Sequence, residues 1–307
     1  MVLDPHGLYE LTGEQPDLGR PVLVQALTGF VDAGNAGQLA REHLLSTRDA
    51  KLLVKFHHDE LVDYRSRRPT MTFVTDHWEH YDEPVLGIYQ LRDDSDEPFL
   101  LLAGPEPDLQ WERFIEAVRG LIERFNVRLT VGFTAIPMAV PHTRPIGVTA
   151  HATRSELIAG YEPWLSQVQV PASVANLLEF RLGQRGHDAL GFAVHVPHYL
   201  AQSSFPAAAE ELLTHLSRAS GLLLPTEELK AAAGVVRGEI DKQVAQADDA
   251  GALVRMLEQQ YDAYVRGREG TNLLAEQEVS LPTADELGAE LERFLAEHHQ
   301  QPGDSPG

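Results

Sequence analysis

The chain of 307 residues contains no cysteine. Disulfide staples, thiolate nucleophiles and Cys-ligated zinc or iron–sulfur centres are excluded, so burial and hydrogen bonding must hold the fold. Positive charge is also scarce: 25 Lys and Arg against 46 Asp and Glu leave a formal net charge of −21. A surface of that sign repels phosphate backbones and anionic headgroups, so neither nucleic acid nor a membrane is expected as a partner. No apolar run approaches the ~20 residues that a membrane-spanning helix needs. The opening residues, MVLDPHGLYELTGEQPDLGR, lack the basic start and apolar core of an export signal. The expected location is the cytoplasm. His57, His58, His77 and His80 follow no HxH or HExxH spacing, and no metal or cofactor is expected.

What is present is an alternation of short apolar runs with amphipathic stretches. Residues 21–27, 50–56, 84–91, 98–104, 127–133 and 188–194 read as buried strands, and 147–153 as a strand with one exposed face. Between them, helical periodicity covers 36–45, 109–125, 174–182 and 207–217, with Asp108 and Ser173 as N-caps of the second and third. This pattern is α/β. Composition changes near the end: from Thr226 onward 17 acidic residues face 7 basic ones. Three amphipathic helices fit there, at 227–245, 251–265 and 284–298. The expected organisation is an α/β core over 1–222, a helical domain over 223–300 and a disordered tail over 301–307.

Chemistry concentrates after the strands. The loop IPMAVPHTRP, residues 136–145, has prolines at Pro137, Pro141 and Pro145, which remove donors and should end the strand at Pro137. It presents His142, Thr143 and Arg144 together. The tripeptide Val-Pro-His recurs at 196–198 beside His195, again after a strand, and parallel strands would bring both loops to one edge. TGFVDAGNAG places Gly29, Asp32 and Asn35 in a turn before a helix, which suits either an anion cradle or a simple N-cap. Glu106 lies between two prolines at a strand end, a candidate acid or ligand contact. RSRRP, residues 65–69, suits an anion or the chain's own carboxylates.

Six segments resemble the proteasome assembly chaperone 2 family in its actinobacterial branch: ALTGFVDAGNAG, VDYRSRRP, GPEPDLQW, IPMAVPHTRP, GHDALGFAVHVPHYL and LPTADELGAELERFLAE. They occur in order over nearly the whole chain. The resemblance implies a three-layer α/β/α domain with a mostly parallel sheet, similar to nucleoside phosphorylases, followed by a small helical domain. It implies a non-enzymatic binding or assembly protein, a homo-oligomer with a trimer among the options, whose partners are proteasome subunits or another protein. The alternative is a phosphorylase- or hydrolase-like enzyme or binder of a nucleoside or anionic ligand. In that reading His142 or His198 is the general acid or base and Glu106 holds a hydroxyl. Gly29, Asp32, Asn35, Thr143, Arg144 and His195 then bind the ligand.

Overall fold

The computed structural model describes residues 4–13, 16–29, 31–46, 49–164 and 167–271. The helix expected at 284–298 and the tail at 301–307 lie outside them. The elements are β1 (Tyr9–Leu11), β2 (Val22–Thr28), α1 (Ala36–Ser46), β3 (Lys51–Phe56), β4 (Met71–Val74), β5 (His77–Tyr81), β6 (Gly87–Arg92), β7 (Pro98–Pro105), α2 (Trp111–Arg124), β8 (Leu129–Met138), β9 (Val148–Ala152), α3 (Val174–Gln184), β10 (Ala189–Pro197), α4 (Pro206–Ser220), α5 (Glu227–Gln246) and α6 (Asp248–Thr271).

Eight strands form one sheet in the order β1-β3-β6-β7-β2-β8-β10-β9. Its heart is parallel: β7, β2, β8 and β10 are successive parallel neighbours. Antiparallel strands extend it at both margins, with β6 on β7 and β9 on β10. Because side chains alternate along a strand, each strand feeds two cores. Val22, Val24 and Ala26 of β2 join Phe192 and Val194 of β10 under α1 and α4. Leu23, with Leu100 and Leu102 of β7, packs under α2 and α3 instead. This is the three-layer α/β/α arrangement. The first core runs on into α5, whose Leu229 and Ile240 belong to the same buried cluster as Leu212 and Leu216 of α4. By compactness the chain divides into Met1–Tyr261 and Asp262–Gly307.

Two local expectations change. The strand does not stop at Pro137: Ile136, Pro137 and Met138 pair with His195, Val196 and Pro197 of β10. The regular β2 ladder has ended by Gly132, so a proline here forfeits donors on no more than one occupied side. Asp108 does not cap α2; Gln110, at φ 56°, occupies the N-cap position and Asp108 binds Arg67. Glu179 Oε1 lies 2.9 Å from His151 Nδ1. The stretch holding His77 and His80 is a two-stranded hairpin, β4–β5, apart from the main sheet.

Candidate functional site

Since β2, β7, β8 and β10 are parallel, their C-terminal ends share one edge, and every candidate residue lies at or just beyond those ends. The edge is common. The polar groups on it, however, are taken up by different parts of the chain.

Asp32 closes the N-terminus of α1: its two carboxylate oxygens accept from the N–H groups of Gly37 at 2.7 Å and Gln38 at 2.9 Å. Those donors, the ones an anion would use, are occupied from within. Asp32→Ala is expected to lower stability by about 1–2 kcal/mol, measured by denaturant unfolding. Gly34, at φ 68°, donates its N–H to Ala201 and accepts from the Phe205 N–H. A Cβ on Gly34 would stand 2.8 Å from Phe205 Cβ, so the close approach of this turn to the β10–α4 connection requires glycine. Asn35 follows at φ 52°, a left-handed position that asparagine tolerates. Gly29, at φ 140°, lies against the Arg67 guanidinium. Arg67 donates to the carbonyls of Thr28 and Glu106 and to Asp108, tying the ends of β2 and β7 together.

Glu106 is buried, and burial pushes its carboxyl above the usual carboxylate range. Its Oε1 accepts from the Val174 N–H at 2.6 Å, so it holds the first turn of α3, whose N-cap is Ser173 as expected. His195 is fully buried on β10, with Nε2 2.9 Å from Thr149 Oγ1 and its ring edge-on to Trp164. His198 stands edge-on to Tyr199, and its buried Nδ1 has no hydrogen-bond partner among the described residues.

The loop carrying His142 docks on the C-terminal helices. His142 Nδ1 lies 2.6 Å from Tyr199 Oη, and Nε2 lies 3.1 Å from Asp241 Oδ1 on α5. The Tyr199 hydroxyl also accepts from the His142 backbone N–H at 2.9 Å. Every group is satisfied if Tyr199 donates to Nδ1 and a neutral ring donates Nε2–H to Asp241. Burial holds the His142 ring below the usual histidine range, although Asp241 opposes this. Arg237, one turn from Asp241, donates to the His142 carbonyl at 2.6 Å. Thr143 and Arg144 both bond Glu258 of α6, and the Tyr261 hydroxyl donates to the Pro145 carbonyl.

The structure thus joins His142, Thr143 and Arg144 to α5 and α6, Asp32 to α1 and Glu106 to α3. No hydrogen bond among the described residues links Glu106 or His195 to the His142 group. Tyr199, Arg237, Asp241 and Glu258 escaped the reading of the sequence. The only signal for the α5 pair was the i, i+4 spacing of an arginine and an aspartate. The strand-end concavity, lined by Leu27, Asp32, Phe133 and Thr134, measures about 240 Å³ counted out to open solvent. Among the described residues no group of three or more His, Cys, Asp or Glu has the geometry to hold a metal ion, and no helix is long and apolar enough to cross a membrane.

Similarity to known structures follows the same architecture. A Mycobacterium tuberculosis protein of unknown function is 52% identical, with a TM-score of 0.83 over 87% of this chain and 92% of that one. A Corynebacterium glutamicum protein of unknown function is 38% identical, with a TM-score of 0.81 over 84% of this chain and 98% of the other. A Mycobacterium tuberculosis proteasome-assembly chaperone homologue is 26% identical, with a TM-score of 0.70 over 76% of this chain and 99% of its own length. Among curated proteins there is no match. The PAC2 family model matches residues 26–244. With the sheet, its two helical layers and these relatives in agreement, the chain belongs to the PAC2 family.

Proposed function

We propose that this protein is a non-enzymatic binding or assembly protein that works as a homo-oligomer and engages a protein partner. The observation that carries the reading is a contrast between two surfaces. At the strand-end edge, Asp32, Glu106, His142, Thr143 and Arg144 hold the chain's own helices. The concavity there is smaller than the ~300–1,000 Å³ of ordinary ligand pockets. The β4–β5 hairpin is the opposite case. Met71 pairs with Tyr81 and Phe73 with Trp78, and a register shift between Thr72 and Phe73 brings both pairs to one face. All four are exposed, Trp78 by 62% and Phe73 by 54%.

An isolated two-stranded hairpin is marginal in water, and an apolar face of this kind is what protein contacts cover. The resemblance to a proteasome-assembly chaperone homologue supports proteasome subunits as the first partner to test. The deciding experiment combines light scattering with affinity capture from the native cytoplasm. Wild type should exceed the 34.0 kDa monomer mass and retain proteasome subunits or one defined partner. The Phe73→Ser/Trp78→Ser double variant, folded by circular dichroism, should lose self-association. A monomeric wild type that captures nothing would reject the reading.

A further inference from the structure

We propose that the β4–β5 hairpin of one copy adds to the open side of β9 in the next copy, so that self-association runs head to tail. This rests on the reading of the hairpin as the self-association surface, and it names what that surface meets. β9 ends the sheet, with β10 on one side only. The His195 N–H donates to the Gly147 carbonyl and the Thr153 N–H to the Ala189 carbonyl, so the odd-numbered positions bond β10. Alternation turns the N–H and C=O groups of Val148, Ala150 and Ala152 outward, where they have no hydrogen-bond partner among the described residues. Natural edge strands are blunted by lysine, proline or a bulge. β9, reading VTAHA, has none of these. It also has no acidic residue, in a chain whose net charge of −21 sets copies against each other elsewhere. The opposite margin of the sheet, β1, is three residues long and carries Glu10.

The hairpin fits that strand in register and in face. The Asp82 N–H donates to the Thr70 carbonyl, so the next residue, Met71, points its own N–H and C=O away from β5, and Phe73 follows two positions on. The spacing of Met71 and Phe73 matches that of Ala152 and Ala150 in an antiparallel pair, in which facing residues share a side of the sheet. Phe73 then stands beside Ala150, Met71 beside Ala152 and Thr72 beside His151. Val148, Ala150 and Ala152 are half-buried at the margin of the first core, together with Leu157 and Ile158. The aromatic face of the hairpin continues that apolar margin, and the small alanines leave room for it. Thr72 and His80 continue the polar face that Thr149 and His151 present toward His195 and Glu179. Charge agrees with this direction. Arg68, exposed and without an ion pair among the described residues, precedes β4 and meets the end of β9 that leads to Glu156. The Glu156 side chain is 72% exposed, and its one ion pair among the described residues is with Arg154 at 3.9 Å. A hairpin on β9 is a heterologous contact, of the kind that closes into a ring.

The test is a mixing experiment on full-length variants, read as mass by light scattering at a concentration where wild type associates. Ala150→Pro removes an outward N–H at an edge position where proline is tolerated, and the variant should run at the 34.0 kDa monomer mass. Phe73→Ser/Trp78→Ser should do the same. Mixed in equal amounts, the two should form a species of twice that mass, because one supplies an intact hairpin and the other an intact β9. Ala152→Pro is the second edge variant if Ala150→Pro does not fold by circular dichroism. Unchanged association of a folded edge variant overturns the inference and leaves the hairpin reading standing, as does a mixture that stays monomeric. A monomeric wild type, or association that survives in the hairpin variant, overturns both.

Discussion

Acidification from pH 7 to pH 4 should cost the fold roughly 3 kcal/mol through a single side chain, His195. The ring lies on β10 with none of its surface exposed, Trp164 on its edge and Gly147 against Nδ1, where a Cβ would stand 2.6 Å away. Nδ1 has no hydrogen-bond partner among the described residues, so nothing there offsets the cost of charging the ring. Burial lowers its pKa from 6.5 to about 4. The folded state therefore binds this proton less readily than the unfolded state. Its contribution is complete above pH 6.5, declines as the pH falls toward 4, and is gone below that. His142, also lowered by burial, acts with the same sign below pH 6.5. Urea unfolding at pH 7, 5.5 and 4 should show the loss, and His195→Gln should flatten it. An identical pH slope in the variant would reject the assignment.

Gly104→Ala should be the most damaging of the conservative glycine substitutions at the strand edge. Gly104 has φ 135°, a region that residues with a Cβ rarely adopt, and a Cβ there would lie 2.4 Å from the Val85 carbonyl oxygen and 2.6 Å from Leu86 Cα. Both obstacles are backbone, so no side chain can swing aside. Strain of about 1–3 kcal/mol adds to overpacking of about 1–3 kcal/mol. At about 2–4 °C per kcal/mol, a loss near 3 kcal/mol lowers Tm by about 6–12 °C. The shift also displaces Pro105 and Glu106, and with them the carboxylate that holds the Val174 N–H. Gly186→Ala is the control, because Gly186 has φ 77° but open space around its Cα. It should cost only about 1 kcal/mol. Equal thermal shifts in the two variants would show that backbone crowding at Gly104 does not matter.

The fold was largely legible in the chain because its signals are local. Apolar runs such as VLVQAL and FLLLA produce strands wherever they are packed, and the stripe of Phe114, Ile115, Val118, Leu121 and Ile122 can only be one face of a helix. The hairpin was less legible. Thr72, His77, Glu79 and His80 make its sequence look polar, and only the register shift gathers Met71, Phe73, Trp78 and Tyr81 on one side.

Sequence alone pointed to the ends of parallel strands as the place where the polar loops meet, since alternating strands and helices imply parallel strands. It also excluded thiol chemistry and made an acidic partner surface unfavourable. Tertiary structure decided what the loop polar groups do. His142 finds Asp241 across 99 positions, Thr143 finds Glu258 across 115, and Glu106 finds Val174 across 68. No local pattern encodes such pairs, because a hydrogen bond depends on angstrom-scale placement set by the whole packed core. The loop 136–145, with its prolines and clustered polar groups, looked like a pocket wall in the sequence. In the folded chain its polar groups anchor α5 and α6.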